Sequence, residues 1–169
     1  LHGSLPSSSR AACLSLNEYC VRRLAVQGTG LASDQGALQT VTAASSLFGD
    51  ALLAVIVYGS WLRGEAVATS DVDVLVVVEP RMALTRALYR AWDAAPVVWQ
   101  GRRVDPHFVH PPQDRVAGGV WAEVAVAGVV VFERGWRISA RLVDIRHEIA
   151  AGKLVRRLVH GQPYWTVAA

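Results

Sequence analysis

The sequence has almost no lysine: sixteen arginines stand against Lys153 alone. Cysteine is equally scarce. Cys13 and Cys20 sit seven apart in one predicted helix, which suits neither a zinc cage nor a disulfide framework, so a reducing, cytoplasmic setting is the default expectation. Long apolar runs are missing as well. None approaches the ~18 residues a membrane span needs. Val74 to Val78 is short, follows two aspartates and reads as a buried strand, so no membrane partner is expected. Residues 1–9 carry neither a basic n-region nor an apolar h-region, and no secretion signal is expected. Charged residues make up only 18% of the chain against 52% hydrophobic ones, which excludes a disordered polymer. The 169 residues suit one domain. A chain of that size buries about two thirds of its unfolded surface, enough for a core without staples.

The net charge of +3 is modest, but its distribution is uneven. Residues 1–133 carry ten arginines against twelve acids, a net of −2. Residues 134–169 carry seven basic groups against Asp144 and Glu148, a net of +5. A basic C-terminal segment on a slightly acidic body suits a polyanion contacted at one end. It equally suits a solvated arginine face on a terminal helix, and charge alone does not choose.

Pattern divides the chain into a leader over residues 1–10, a main domain over 11–152 and a basic tail over 153–169. Pro6 and three serines give the leader little to pack. A helix is expected over 11–26, and a second, capped by Ser33 or Asp34, up to Phe48. Leu52 to Tyr58 is apolar and β-branched, a buried strand broken by Gly59-Ser60. A short helix at 61–67 follows, then a strand from Asp71 to Glu79. Leu84, Ala87, Leu88 and Ala91 have helical spacing within Arg81 to Asp93. Pro96–Gln100 and Arg103–His110 read as strands joined at Gly101. Residues 113–126 suit a helix weakened by Gly118-Gly119, and Val129 to Glu133 a short strand. Ile138, Leu142, Ile145 and Ile149 mark a last helix with Gly152 as its C-cap. The tail beyond Lys153 is expected to be irregular. The expected class is α/β (α+β), with a mixed, mainly antiparallel sheet flanked by helices.

The stretch from Val55 to Glu79 carries chemistry. A buried strand runs into Gly59-Ser60 and a short helix. The glycine lets a backbone approach a ligand closely, the helix start offers N–H donors, and Ser60 adds a hydroxyl; together they can hold a phosphate. Asp71 and Asp73 are two apart on a strand, so their carboxylates share a face while Val72, Val74 and Val76 point to the other. Two such carboxylates repel unless a cation lies between them. Mg²⁺ prefers carboxylate oxygens and water, with triphosphate supplying the remaining ligands. Two ions about 4 Å apart would activate a hydroxyl and neutralise a leaving pyrophosphate. Bare DxD pairs are commonly exposed strand starts. A GS turn eleven and thirteen residues upstream of the two aspartates favours the functional reading. Asp105, polar between Val104 and Phe108, needs a reason to be there, and Pro106 marks its strand as an edge or a strand start. A turn residue at a strand entry is the competing reading. Asp114 and Glu79 are poorer candidates.

The stretch GSWLRGEAVATSDVDVLVVVE resembles the signature of the DNA polymerase β-like nucleotidyltransferase superfamily, closest to its minimal members. Gly59, Ser60, Arg63, Gly64, Ala66, Ser70, Asp71 and Asp73 match the pattern GS-x-x-RG-x-A-x-x-x-SD-x-D. The resemblance implies the nucleotidyltransferase fold and a GS turn that holds the nucleotide's phosphates, with Gly59, Ser60, Arg63 and Ser70 as nucleotide-binding residues. It implies Asp71 and Asp73 as metal ligands, Asp105 as third carboxylate and base, and two Mg²⁺ ions for which Mn²⁺ can substitute. The extra N-terminal helix and basic tail resemble stand-alone nucleotidyltransferases of bacterial toxin–antitoxin pairs. Some of those add nucleotides to tRNA 3′ ends and block charging. Others in the superfamily adenylylate a partner toxin as antitoxins, or modify aminoglycosides.

Around this motif, Arg63 is either a triphosphate contact or a surface ion pair to Glu65 or to an acid elsewhere. Lys153, Arg156 and Arg157 are candidate RNA or nucleotide contacts, or solvated cations. His107, His110 and His160 suit structural or substrate-contacting roles, with no third ligand for zinc. Trp61 is placed to stack on a base or ribose. The expected activity is metal-dependent transfer of NMP from an NTP to a hydroxyl, with a tRNA 3′ end as acceptor and a cognate antitoxin as partner. Alternatives are adenylylation of a partner protein, small-molecule transfer, and a degenerate domain that only binds nucleotide.

Overall fold

The computed structural model describes residues 34–112, 119–159 and 162–168. The helix expected over 11–26, both cysteines, Asp114 and His160 lie outside them. Asp34 caps the first described helix, its carboxylate accepting from the Gly36 N–H at 2.8 Å. That helix, α1 (Gln35–Phe48), ends at Gly49, whose φ of 53° suits glycine. A 3-10 turn (Gly49–Ala51) leads into β1 (Leu52–Tyr58). Then follow α2 (Gly59–Arg63), β2 (Val72–Val78), α3 (Arg86–Asp93), β3 (Val98–Trp99) and β4 (Arg102–Val109). The last elements are α4 (Gly119–Ala127), β5 (Val129–Glu133), α5 (Arg137–Ala150), β6 (Leu154–Val159) and β7 (Gln162–Val167).

Five strands form one sheet in the order β3-β4-β2-β1-β5. Within this sheet β2–β4 is parallel, and β1–β2, β1–β5 and β3–β4 are antiparallel. The mixed, mainly antiparallel sheet expected from the sequence is therefore present. β1 and β2 lie at its centre, and their near-continuous Val, Ile and Leu runs are what a strand covered on both faces requires. On one face Ala54, Ile56, Tyr58, Leu75 and Val77 pack against α4, α5 and Leu154 of β6. On the other, Phe108 meets Phe48 of α1 edge-on at 5.1 Å, and Tyr89 and Trp92 of α3. Each Val, Leu or Ile taken fully out of water contributes roughly 1.5–3 kcal/mol, so this two-sided core dominates the stability.

Three elements differ from expectation. The helix after Gly59 starts at Gly59 itself and stops at Arg63, because Gly64 takes the left-handed conformation and ends it. The helix read from Arg81 begins only at Arg86, after a turn in which the Met82 N–H bonds the Glu79 carbonyl at 2.9 Å. The tail is not irregular. Leu154–Val159 and Gln162–Val167 pair in register as an antiparallel hairpin, with Leu154 buried.

Candidate active site

β1 delivers Gly59-Ser60 at its C-terminal end, and β2 opposes it. Tyr58 is in register with Asp73 on β2, and Asp73 with Asp105 on β4. The three sequence-derived carboxylates therefore sit together on two adjoining strands: Asp71 just before β2, Asp73 on it and Asp105 beside it on β4. Strand alternation puts Asp71, Asp73, Asp105 and His107 on the face that also carries α4 and α5.

Gly59 has φ +84°, a left-handed conformation that favours glycine. A Cβ built there would overlap the Asp73 carboxylate, so the turn and the carboxylate are packed against one another with no room between. The Ser60 carbonyl accepts the Glu65 N–H at 2.9 Å, and its hydroxyl has no partner among the described residues. Asp73 is half-buried, and its carboxyl is pushed above its ordinary value. Burial is the main cause, and Asp105 and Asp71 add repulsion that His107 and Arg63 partly offset. The Tyr58 phenol is held above its usual range by burial first, then by Asp73 and Asp105. Crowded anions of this kind are stabilised by a cation.

The other expected residues are held by protein partners. Arg63 bonds Glu65 at 2.8 Å and Glu123 at 2.9 Å. The Ser70 hydroxyl accepts the Val67 N–H at 3.0 Å and closes the turn before Asp71. Trp61 packs its indole at 5.2 Å from that of Trp99. His110 Nε2 bonds the Met82 carbonyl at 2.8 Å. Arg156 lies 3.8 Å from Glu123, while Lys153 and Arg157 are exposed and make no ion pair among the described residues.

Sequence reasoning missed two organising residues. Arg102 donates to the Val67 and Ser70 carbonyls at 2.6 and 2.7 Å and so pins the loop that presents Asp71. Glu123 on α4 accepts from Arg63 and, at 3.2 Å, from the Trp165 indole of β7. No local signal marks either one, because their partners are 32 to 60 residues away.

Residues 39–114 match the family model of the nucleotidyltransferase domain. The chain carries a nucleotidyltransferase domain. The match runs from α1 past β4 and takes in the GS turn and all three carboxylates, so by this domain the protein is a transferase. Among solved structures, the chain is similar to a crystal structure of a toxin–antitoxin with AMP-PNP, at 16% identity and a TM-score of 0.44. It is also similar to a mutant of the toxin–antitoxin MntA–HpeT, at 13% identity and a TM-score of 0.43. Each likeness covers 67% of this chain and 89% of the other. No curated protein matches.

Whether the nucleotidyltransferase site fits a metal is a question of donors. Among the described residues, no three His, Cys, Asp or Glu side chains are gathered into a metal-holding group. Mg²⁺, however, takes only one or two carboxylates and completes its shell with substrate phosphates and water. The hard oxygens of Asp71, Asp73 and Asp105, crowded enough to raise Asp73, match that chemistry.

Proposed function

We propose that this chain transfers a nucleoside monophosphate from an NTP to a hydroxyl of RNA, with a tRNA 3′ end as the preferred acceptor. The observation that supports it most is the row of Asp71, Asp73 and Asp105, with Asp73 packed against Gly59 of the turn. In this reading the turn holds the triphosphate through its backbone N–H groups and the Ser60 hydroxyl. Asp105 takes the proton of the acceptor hydroxyl. The acceptor oxygen bonds the α-phosphorus, the bond from the α-phosphorus to the bridging oxygen breaks, and pyrophosphate leaves. Asp71 and Asp73, with Asp105, would hold divalent ions, Mg²⁺ or Mn²⁺, which when bound neutralise charge developing on the leaving phosphates. A toxin that blocks tRNA charging, silenced by a cognate antitoxin, is the biological role implied by the motif's resemblance.

One observation favours a second reading, in which a partner protein's hydroxyl is the acceptor. Of the basic groups in the C-terminal segment, Arg134, Arg141 and Arg156 face acids, and Arg146 donates to the Ala125 carbonyl. The cationic surface left for RNA is thinner than the sequence suggests. Labelled NTPs, total RNA and candidate partner protein, with Mg²⁺ or with a chelator, separate the two readings. The expected result is Mg²⁺-dependent label at RNA 3′ ends. Neutralising Lys153 and Arg157 should flatten the log–log salt dependence by about one unit for each RNA phosphate no longer neutralised. Label on protein alone, with equal salt slopes, overturns the RNA reading.

A further inference from the structure

Tyr58 is the last residue of β1, immediately before Gly59, and His107 lies two residues beyond Asp105 on β4. These strands are not neighbours; β2 runs between them. The Tyr58 hydroxyl nevertheless hydrogen-bonds His107 Nδ1, with the two rings 6.2 Å apart and 32° from parallel. The pair forms a strut over β2 at the level of Asp73. It ties the strand that carries the nucleotide turn to the strand that carries the third carboxylate.

The direction of the hydrogen bond has consequences. Tyr58 is 8% exposed, and its hydroxyl has no other partner among the described residues. Its raised pKa keeps the proton on oxygen. A buried phenol O–H must donate somewhere, and the ring nitrogen in contact with it is the available acceptor. An imidazole that accepts at Nδ1 carries its own proton at Nε2 when neutral. His107 itself is exposed. Among the described residues β3 pairs with β4 only at Arg102 and Arg103, and none of them forms a strand on the outer edge of β4 from Asp105 onward. On the reading of the previous subsection, the triphosphate lies on the β1 side of the carboxylates. The acceptor must then approach over β4, past His107.

We propose that Tyr58 positions His107 and fixes it as the Nε2–H tautomer, so that His107 donates a hydrogen bond to the incoming acceptor beside Asp105. Tyr58 is then a positioning residue, acting through His107.

Imidazole ¹⁵N spectra of the full chain test this without any turnover. They are recorded well above the ordinary histidine pKa of about 6.5. Wild type should show His107 with Nδ1 bare and Nε2 protonated. In Tyr58→Phe the two nitrogens should move toward an averaged mixture of tautomers, with the rest of the spectrum unchanged. A protonated Nδ1 in wild type, or identical His107 signals in the variant, overturns the proposal. Kinetics provide the second readout. Tyr58→Phe and His107→Ala should each lower kcat about tenfold, near the worth of one hydrogen bond, and raise KM for the acceptor while leaving KM for NTP unchanged. The double variant should be no worse than either single one, because they break one unit. His107→Gln, which keeps a donor, should recover part of the loss. Unchanged kcat and acceptor KM in His107→Ala overturn the bond to the acceptor. A wild type that transfers no nucleotide defeats the reading of the previous subsection, and the imidazole spectra still decide this one.

Discussion

Asp73 is half-buried beside Asp105 and Asp71, and its effect on folding has a definite sign. Its folded pKa lies above the ordinary 3.8, chiefly through burial and then through Asp105. A carboxyl raised on folding favours the native state while it is protonated. That stability is fully present below the ordinary value and is lost as pH rises through the raised one. Melting curves against pH in chelator should show this loss in wild type and not in Asp73→Asn, which should melt higher at neutral pH. The same variant, like Asp71→Asn, should abolish transfer. Near-normal turnover in either would remove both residues from the machinery. Ser60 makes a separate test. Its hydroxyl has no protein partner among the described residues, so Ser60→Ala should leave the melting temperature unchanged. It should raise KM for NTP and lower turnover, about ten- to a hundredfold in all, for the loss of one hydrogen bond to a charged group worth roughly 1.5–3 kcal/mol. Steady-state kinetics over an NTP series would reveal it. These residues were legible in the sequence because strand alternation fixes which side chains share a face. The partner of Arg63 was half legible: Glu65 is its near neighbour, but Glu123 is 60 residues away.

At the scale of elements, the C-terminal hairpin is joined to α2, the helix that begins at Gly59, through one carboxylate. Glu123 receives Arg63 from α2 and the Trp165 indole from β7, with Arg156 of β6 farther off. These interactions are unequal. The Arg156 pair is long and half-exposed and contributes little. The indole N–H to carboxylate bond is partly buried and charge-assisted. Glu123→Gln keeps an acceptor for the indole, whereas Glu123→Ala removes it. Thermal or urea unfolding should place the alanine variant about 2 kcal/mol below wild type and the glutamine variant within about half of that. Equal losses would mean that charge, not the hydrogen bond, holds the hairpin. The hairpin also shows where reading by pattern fails. In β6 and β7, alternation is masked by neighbouring Arg156 and Arg157 and by Pro163, and the signal for pairing lies in the partner strand. The helix from Arg86 was found but its start misplaced, because Leu84 continues the apolar spacing while it lies in the non-helical residues between the turn after Glu79 and the helix. β1 and β2 were placed nearly to the residue, since long β-branched runs at the centre of a sheet leave little choice, and β4 was placed as closely by its alternating buried Val104, Pro106 and Phe108.

For the molecule as a whole, the legible part is what one strand and its turn dictate, and the hidden part is what the sheet brings together. Spacing identified the GS turn and the carboxylates. The strut from Tyr58 to His107 spans 49 residues of sequence and exists only because β2 is threaded between β1 and β4. The close fit of Gly59 against Asp73 was likewise invisible before the strands were laid side by side. That fit bears on how such a chain changes over generations. While Asp73 is present, a side chain at position 59 has nowhere to go, and Gly59→Ala should cost most of the activity and roughly 1–3 kcal/mol of stability, measured by unfolding. In an Asp73→Ala background the carboxylate is gone and only the Cβ of residue 73, 3.1 Å away, still has to give a little, so the cost falls toward the backbone preference, on the order of 1 kcal/mol. The two substitutions should therefore be markedly less than additive. A lineage that loses the carboxylate of Asp73 also releases Gly59, so the two positions should decay together, the carboxylate first and the glycine after it.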